Sequence, residues 1–438
     1  MPWLLNFAYL FVLGVLSPWL VWRAVCTGRY RKDLLPKLSG RVSVPDCTGR
    51  RVVWFHAVSV GEVHLLGPLV AAFRRRHPAW VVVVSSTTDT GLSEARTRFA
   101  DGTVVPFPFD FSWAVGTALD RIRPSLLVLV EGEMWPNLLR AARRRGVAVA
   151  VVNARLSPRS FRRYARVSAL ARAFLFRYVD RIAVQSEEYA DRFRALGVEA
   201  SKLVATGSVK YDGAVGNRDS EKAGQLRGLL FGREPKPGEI LVAGSTHAPE
   251  EAIVLRTFRR LRARFPALRL ILVPRHPDRF EEVARLVEST GFAFVRRSQI
   301  EAALVDCPPV ILLDSVGELG AAWALADIGY VGGTLDGRRG GQSMIEPAGY
   351  GVPTVFGPHV WNFRDAAARL VEAGGAVMVK VETELDGVLA RLITDKDERT
   401  AMGTAARDLV RRQQGATERT LDVLHGLMGE SVLLPRAG

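Results

Sequence analysis

Short apolar runs alternate with segments of helical length twice along this chain, and this repeat restricts the fold more than any other feature. The first series lies at 51–58, 81–85, 104–107, 126–130, 147–152 and 181–184, with helix-like stretches at 62–76, 90–100, 113–121, 135–145 and 187–196. The second lies at 240–243, 268–273, 310–313, 328–331 and 353–356, again with helix-like stretches between. Runs apolar throughout are strands covered on both faces, and strand–helix alternation gives a parallel sheet. A chain of 438 residues exceeds what one core usually holds, so two domains are expected. Residues 213–238, rich in Gly, Pro and charge, read as a linker. The expectation is therefore an α/β protein with Rossmann-like domains at 36–212 and 239–428, whose last helices can pack back on the first domain.

Two tandem Rossmann-like halves facing a cleft describe the GT-B glycosyltransferase architecture. Neither half carries G-x-G-x-x-G after its first strand, which counts against a dinucleotide enzyme. The richest stretch, 327–365, reads strand, Gly332-Gly333, a second pair Gly340-Gly341, helix, strand. Ligands of such sheets lie at the carboxyl ends of strands, and a helix start offers free N–H groups to a phosphate. Glu346, one turn into that helix, is suited to accept hydrogen bonds from a ribose; the alternative is an exposed helix acid before Pro347.

Other strand ends carry chemistry as well. The first ends in HAVSVGE (56–62), where Glu62 is suited to act as general base or is merely a first-turn acid favoured by the helix dipole. The fourth ends in EGEMWPN (131–137), bringing Glu131 and Glu133 to the same rim. TGSVKYD (206–212) offers Lys210 to neutralise a leaving phosphate. In the second domain AGSTH (243–247), with Ser245 and Thr246, and PRHPDR (274–279), with Arg275 and His276, follow strands directly and suit a phosphate and a carboxylate.

The N-terminus is a separate signal. From Pro2 to Trp22 no residue is charged, and Trp3, Trp19 and Trp22 lie near the ends of the run. About 20 apolar residues span a bilayer as a helix. Arg23, Arg29, Arg31 and Lys32 follow, which would keep the remainder on the cytoplasmic side of an inner membrane. Asn6 and Ser17-Pro18 weaken a spanning assignment, so residues 1–22 are expected to anchor the chain either across the bilayer or in its interface. A net charge of +15 points to anionic partners. No nucleic-acid-binding motif occurs, which leaves an anionic membrane surface and phosphorylated substrates. Cys26, Cys47 and Cys307 are too few and scattered for a disulfide framework. His56, Glu62 and His64 lack a second ligand cluster, so no metal or other cofactor is expected.

These blocks, with NARLSPRS (153–160), QSEEYADRF (185–193) and GGQSMIEPAGYGVPTVFGPHVWNFRD (340–365), resemble the Kdo transferase family. The resemblance runs over nearly the whole chain. It implies a membrane-anchored, metal-independent, inverting GT-B enzyme of lipopolysaccharide biosynthesis. The donor would be CMP-Kdo (Kdo is 3-deoxy-D-manno-octulosonic acid). The acceptor would be a lipid A precursor, a tetraacylated, bisphosphorylated glucosamine disaccharide.

Carried over by position, the resemblance makes Glu62 the proton acceptor and Glu131 and Lys210 transition-state stabilisers. Arg275 and His276 would bind CMP, together with the turn Val316, Gly317, Glu318 and the segment Ser343, Met344, Ile345, Glu346. Ser245, Thr246, Gly333 and Asn362 complete the expected donor set. The family usually has Thr where this chain has Gly132, and His-Asn where it has Gln342-Ser343; residues 334–339 also depart from its apolar loop. Phe161, Tyr164, Val167, Leu170, Phe174 and Tyr178 form an arginine-flanked stripe, expected either in a membrane interface or in the core. A UDP-sugar transferase or epimerase of the same fold, or a non-catalytic sugar-nucleotide binder, remains the alternative.

Overall fold

The computed structural model describes residues 2–27, 33–214, 216–232 and 238–430. They fall into two compact units, Met1–Asp212 with Gln414–Gly438, and Gly213–Gln413. Among the described residues each unit is built on a seven-stranded sheet whose paired strands are all parallel.

In the first unit the strands are β1 (Val52–Ala57), β2 (Val81–Ser86), β3 (Thr103–Pro106), β4 (Leu126–Val130), β5 (Ala148–Ala154), β6 (Arg181–Val184) and β7 (Leu203–Ala205). Their spatial order is β3-β2-β1-β4-β5-β6-β7. Every residue of β1 is buried, five of the six apolar and the sixth His56. The pleat divides them: Val53 and Phe55 join one core layer with Phe73 and Leu424, whereas Val52 and Trp54 join the other with Leu119 and Ile122. Fully burying a Val or Phe contributes about 1.5–3 kcal/mol, so both faces of the sheet stabilise the unit. The helix Ala416–Glu430 belongs to this unit, with Leu421, Leu424 and Leu427 in its core. Its N-terminus is capped by Asp212, whose carboxylate accepts from the N–H of Gly415 at 2.7 Å and Ala416 at 3.3 Å.

The second unit holds β8 (Ile240–Thr246), β9 (Arg269–Pro274), β10 (Phe294–Arg296), β11 (Val310–Leu312), β12 (Ile328–Val331), β13 (Thr354–Phe356) and β14 (Ala376–Met378), in the order β10-β11-β9-β8-β12-β13-β14. Strands β7, β10 and β14 are absent from the sequence reading. Each is a three-residue edge strand, too short and too open to show as an apolar run. The stretch read as a linker instead contains the helix Glu221–Phe231, with Leu226, Leu230 and Phe231 buried. Just before it, Arg218 donates to the carbonyls of Tyr350, Ala324 and Ala326 at 2.8, 3.3 and 3.1 Å, fixing this segment to its unit.

The uncharged N-terminal run is a helix, Pro2–Thr27. Asn6 is its docking residue. Only 2% exposed, Asn6 donates to Ser112 Oγ at 2.7 Å and accepts from Ser112 N at 3.0 Å and Asn137 Nδ2 at 3.3 Å. One turn on, Tyr9 donates to Asp110 at 3.1 Å. Trp3, Leu4, Phe7, Phe11 and Trp22 are left exposed. Among the described residues no helix is long and apolar enough to cross a membrane, so a spanning anchor is not shown. The expected cationic flank at Arg29, Arg31 and Lys32 lies outside the described residues.

The arginine-flanked stripe is not one helix but two, Pro158–Ala165 and Ser168–Phe174, followed by a 3₁₀ turn, Phe176–Tyr178. Phe161, Tyr164 and Tyr178 pack against the core, leaving Val167 and Leu170 exposed. The core reading therefore takes three of the six stripe residues.

Candidate active site

Each sheet reverses its winding once, between β1 and β4 in the first unit and between β8 and β12 in the second. The carboxyl ends of strands flanking such a switch point are where open α/β sheets bind ligands. Glu62 follows β1, Glu131 follows β4, Ser245 closes β8, and Gly332-Gly333 follow β12.

Glu62 sits in the first turn of the helix Val60–Arg76. Its carboxylate accepts from Val58 N at 2.9 Å and Ser59 Oγ at 3.1 Å. Burial nevertheless dominates and raises its pKa to about 7, helped by the negative charges of Glu131 and Glu133 and opposed by the two hydrogen bonds. Burial and Glu131 raise Glu133 as well. Glu131 accepts from Arg155 Nε at 3.0 Å through one oxygen, and its other oxygen lies 3.9 Å from Lys210 Nζ. Lys210 stands on the 3₁₀ turn Val209–Tyr211, which Asn153 holds by accepting from Val209 N at 3.2 Å. Three carboxylates and two cations thus share one rim. His56 is not part of it: fully buried and stacked on Phe107 at 3.5 Å, it is held neutral by burial, its pKa lowered to about 3.

In the second unit Arg275 and His276 follow β9 and are exposed. Arg275 and Ser343 both act on the carboxyl of Glu346. The Glu346 side chain is open to solvent, yet enough protein surrounds its carboxyl for burial to raise the pKa; the Arg275 cation and a Ser343 hydrogen bond oppose this. Gln342 contacts His247 at 3.1 Å, and the His247 and His276 rings lie 5.1 Å apart. Desolvation, reinforced by Arg339, lowers the pKa of His247 to about 4, so the ring is neutral at pH 7. Val316, Gly317 and Glu318 form a separate turn after β11, with Val316 exposed, Gly317 left-handed at φ 86°, and Glu318 bound to Arg297 at 3.0 Å. The side chains of Thr246, Met344 and Ile345 are buried, leaving only their main chain for a ligand. Asn362 is engaged within the protein, donating to Arg339 O at 2.9 Å.

Some of this could not be read from the sequence. Glu131, Asn153 and Ser245 are non-glycine residues in the left-handed region, at φ 60°, 52° and 54°, and all three lie at strand ends of these sites. The register also shifts at β5 and β8, where Asn153 and Ser245 lie. Such backbone costs about 1–3 kcal/mol per residue and persists at functional sites, where the bulge re-aims a side chain. Arg155 was visible only as part of the NARLSPRS block. Among the described residues no group of three or more His, Cys, Asp or Glu is disposed to hold a metal ion.

The profile of the 3-deoxy-D-manno-octulosonic-acid transferase (kdotransferase) family matches residues 31–213. A 3-deoxy-D-manno-octulosonic acid transferase of Haemophilus influenzae is 33% identical, covering 93% of this chain and 94% of that protein. The corresponding protein of Bordetella pertussis is 36% identical, covering 86% and 87%. Among solved structures, a UDP-GlcNAc 2-epimerase from Neisseria meningitidis bound to UDP-GlcNAc is similar with a TM-score of 0.57 at 10% identity, covering 86% of this chain and 100% of that one. A glycosyltransferase from Rickettsia africae gives 0.55 at 10% identity, covering 87% and 99%. At such identities these two likenesses bear on the fold alone, two parallel-sheet α/β domains of the GT-B kind. The sequence identity extends over nearly the full length of this chain and of its relatives, and on that ground the chain belongs to the Kdo transferase family.

Proposed function

We propose that this protein transfers Kdo from CMP-Kdo to a lipid A precursor in lipopolysaccharide biosynthesis, inverting the anomeric carbon and using no metal. The observation that carries the reading is Glu62, a carboxylate with a pKa near neutrality beside Glu131 and Lys210. An acceptor hydroxyl is a weak nucleophile at pH 7. Glu62 takes its proton as the oxygen attacks the anomeric carbon, and the bond from that carbon to the CMP phosphate breaks. Lys210, oriented by Glu131, offsets the negative charge of the reacting groups. Arg275 and His276 bind the phosphate, and Glu346 accepts from the ribose hydroxyls.

The test is incubation with CMP-Kdo and the tetraacylated glucosamine disaccharide bisphosphate. CMP release that depends on the acceptor, with a Kdo-bearing lipid product by mass spectrometry, is expected. Turnover of UDP-GlcNAc in place of CMP-Kdo would overturn the reading. Glu346→Ala should weaken CMP binding at least about tenfold, since a lost hydrogen bond to a charged group costs about 1.5–3 kcal/mol. Unchanged affinity by calorimetry would remove Glu346 from the ribose site.

The reaction is set at an anionic membrane surface. The exposed Trp3, Phe7, Phe11 and Trp22 supply an apolar face on a helix that Asn6 fastens to the first unit, and the +15 net charge favours anionic lipid. Phe7→Asp with Phe11→Asp should abolish co-sedimentation with phosphatidylglycerol vesicles while CMP affinity stays unchanged. Retained sedimentation would point to another docking face.

A further inference from the structure

Two adjacent acids in the first turn of the helix Glu250–Arg264 are 0% and 1% exposed. Neither has a part in the chemistry above. A buried charge is tolerated only where donors surround it, and Glu250 meets five. Oε2 accepts from Gly333 N at 2.6 Å and His247 N at 3.1 Å. Oε1 accepts from Thr334 N at 2.8 Å, Leu335 N at 3.1 Å and Tyr330 OH at 2.9 Å. Three successive amides leaving β12 thus converge on one carboxylate. The same turn is tied to the start of the Ser343–Glu346 segment, because Gly341 N donates to Gly333 O at 2.8 Å and Gln342 N to Gly332 O at 3.2 Å.

Glu251 serves a different loop. It takes both terminal nitrogens of Arg279, at 2.6 and 3.3 Å. Arg279 closes the 3₁₀ turn Pro277–Arg279, immediately after Arg275 and His276. Two of the loops that carry candidate donor residues, 333–335 and 275–279, are therefore held by neighbouring carboxylates on one helical turn.

We propose that Glu250 and Glu251 are paired positioning residues: Glu250 fixes the 333–335 turn and Glu251 the Arg275–His276 loop, so both are ordered before the nucleotide arrives. The proposal rests on the reading that these loops bind CMP. Ordering a loop on binding lowers affinity, and a loop already ordered avoids that cost. Gln in place of Glu250 removes the charge and points an amide N–H₂ at backbone donors, so the 333–335 turn is released.

Glu250→Gln should raise the KM for CMP-Kdo and the Kd for CMP at least about tenfold. Its kcat and acceptor KM should stay within about threefold, and its circular dichroism should match the parent. Arg279→Lys, which keeps charge but loses the two-pronged contact, should raise the same constants about threefold or more. A merely structural role would lower the melting temperature and the active fraction and leave both KM values alone.

Amide hydrogen exchange of the unmodified chain decides the matter even where a variant does not fold. Gly333, Thr334 and Leu335 should be protected without nucleotide and change little on adding CMP. Free exchange that slows only with CMP would overturn the proposal, as would a folded Glu250→Gln with parental Kd. Failure of the unmodified chain to bind CMP would count against the donor-site reading, while protection at 333–335 would still report on Glu250.

Discussion

Glu62→Gln should lower kcat by about 10²–10⁴-fold, the usual worth of general base catalysis. The substitution keeps the size of the side chain and its acceptor contact with Val58 N, but removes the basic oxygen pair. CMP affinity should hardly move, because the residues assigned to the nucleotide belong to the other unit. The parent enzyme should show an acid limb in kcat/KM near pH 7, where Glu62 loses its proton, and the variant should lack it.

The fold should respond in the opposite sense. The pKa of Glu62 is raised from 4.5 to about 7, so the protonated group favours the folded state. That contribution is fully present below about pH 4.5 and is lost as pH rises through about 7. Glu62→Gln, which mimics the protonated acid, should therefore stabilise the protein at pH 8 by about 1–3 kcal/mol, allowing for partial exposure, and by little at pH 5. A more stable protein with collapsed turnover would identify a group kept for chemistry. Near-normal turnover would sink the assignment and move attention to Glu131 and Glu133.

The sequence carried the central strands and the strand-end motifs because both follow from local rules. A strand covered on two faces must be apolar along nearly its whole length, as β4 is and as β1 is except at His56, and a Gly-rich turn must follow where backbone changes direction. What it did not carry depends on tertiary partners. Asn6 looked like a defect in an apolar helix, but Ser112 and Asn137, far along the chain, make it a docking point. Glu250 carries no signal in the sequence: its role follows only from the amides that β12 delivers to it. The stripe at 161–178 had helical spacing, but the chain breaks at Arg166–Val167 and turns most of the aromatics into the core. The left-handed Glu131 and Ser245 have no sequence signature, since such residues enter that region only when their surroundings force them; Asn153 is of a type that tolerates it, but nothing in the sequence marks where.

Lys210→Met is the second large effect expected, and it addresses charge in place of proton transfer. Met matches the stem of Lys, so packing changes little while the ammonium disappears. In the parent, Glu131 faces Arg155 through one oxygen and Lys210 through the other, so the carboxylate holds the ammonium at the rim where Glu62 also lies. A fixed cation at the point where negative charge develops is worth about 10²–10³-fold in kcat, the size of effect seen when one preorganised donor is removed. The loss should fall on kcat and leave the acceptor KM nearly unchanged. It should also reach Glu62. With Lys210 gone, the charge of Glu131 is less balanced, and Glu131 already raises the Glu62 pKa. The acid limb of kcat/KM should therefore move to higher pH in Lys210→Met and stay in place in Lys210→Arg, which keeps the charge. A Lys210→Met enzyme with kcat within threefold of the parent and an unmoved pH profile would show that the cation serves the fold, and would shift the charge-offsetting role to Arg155.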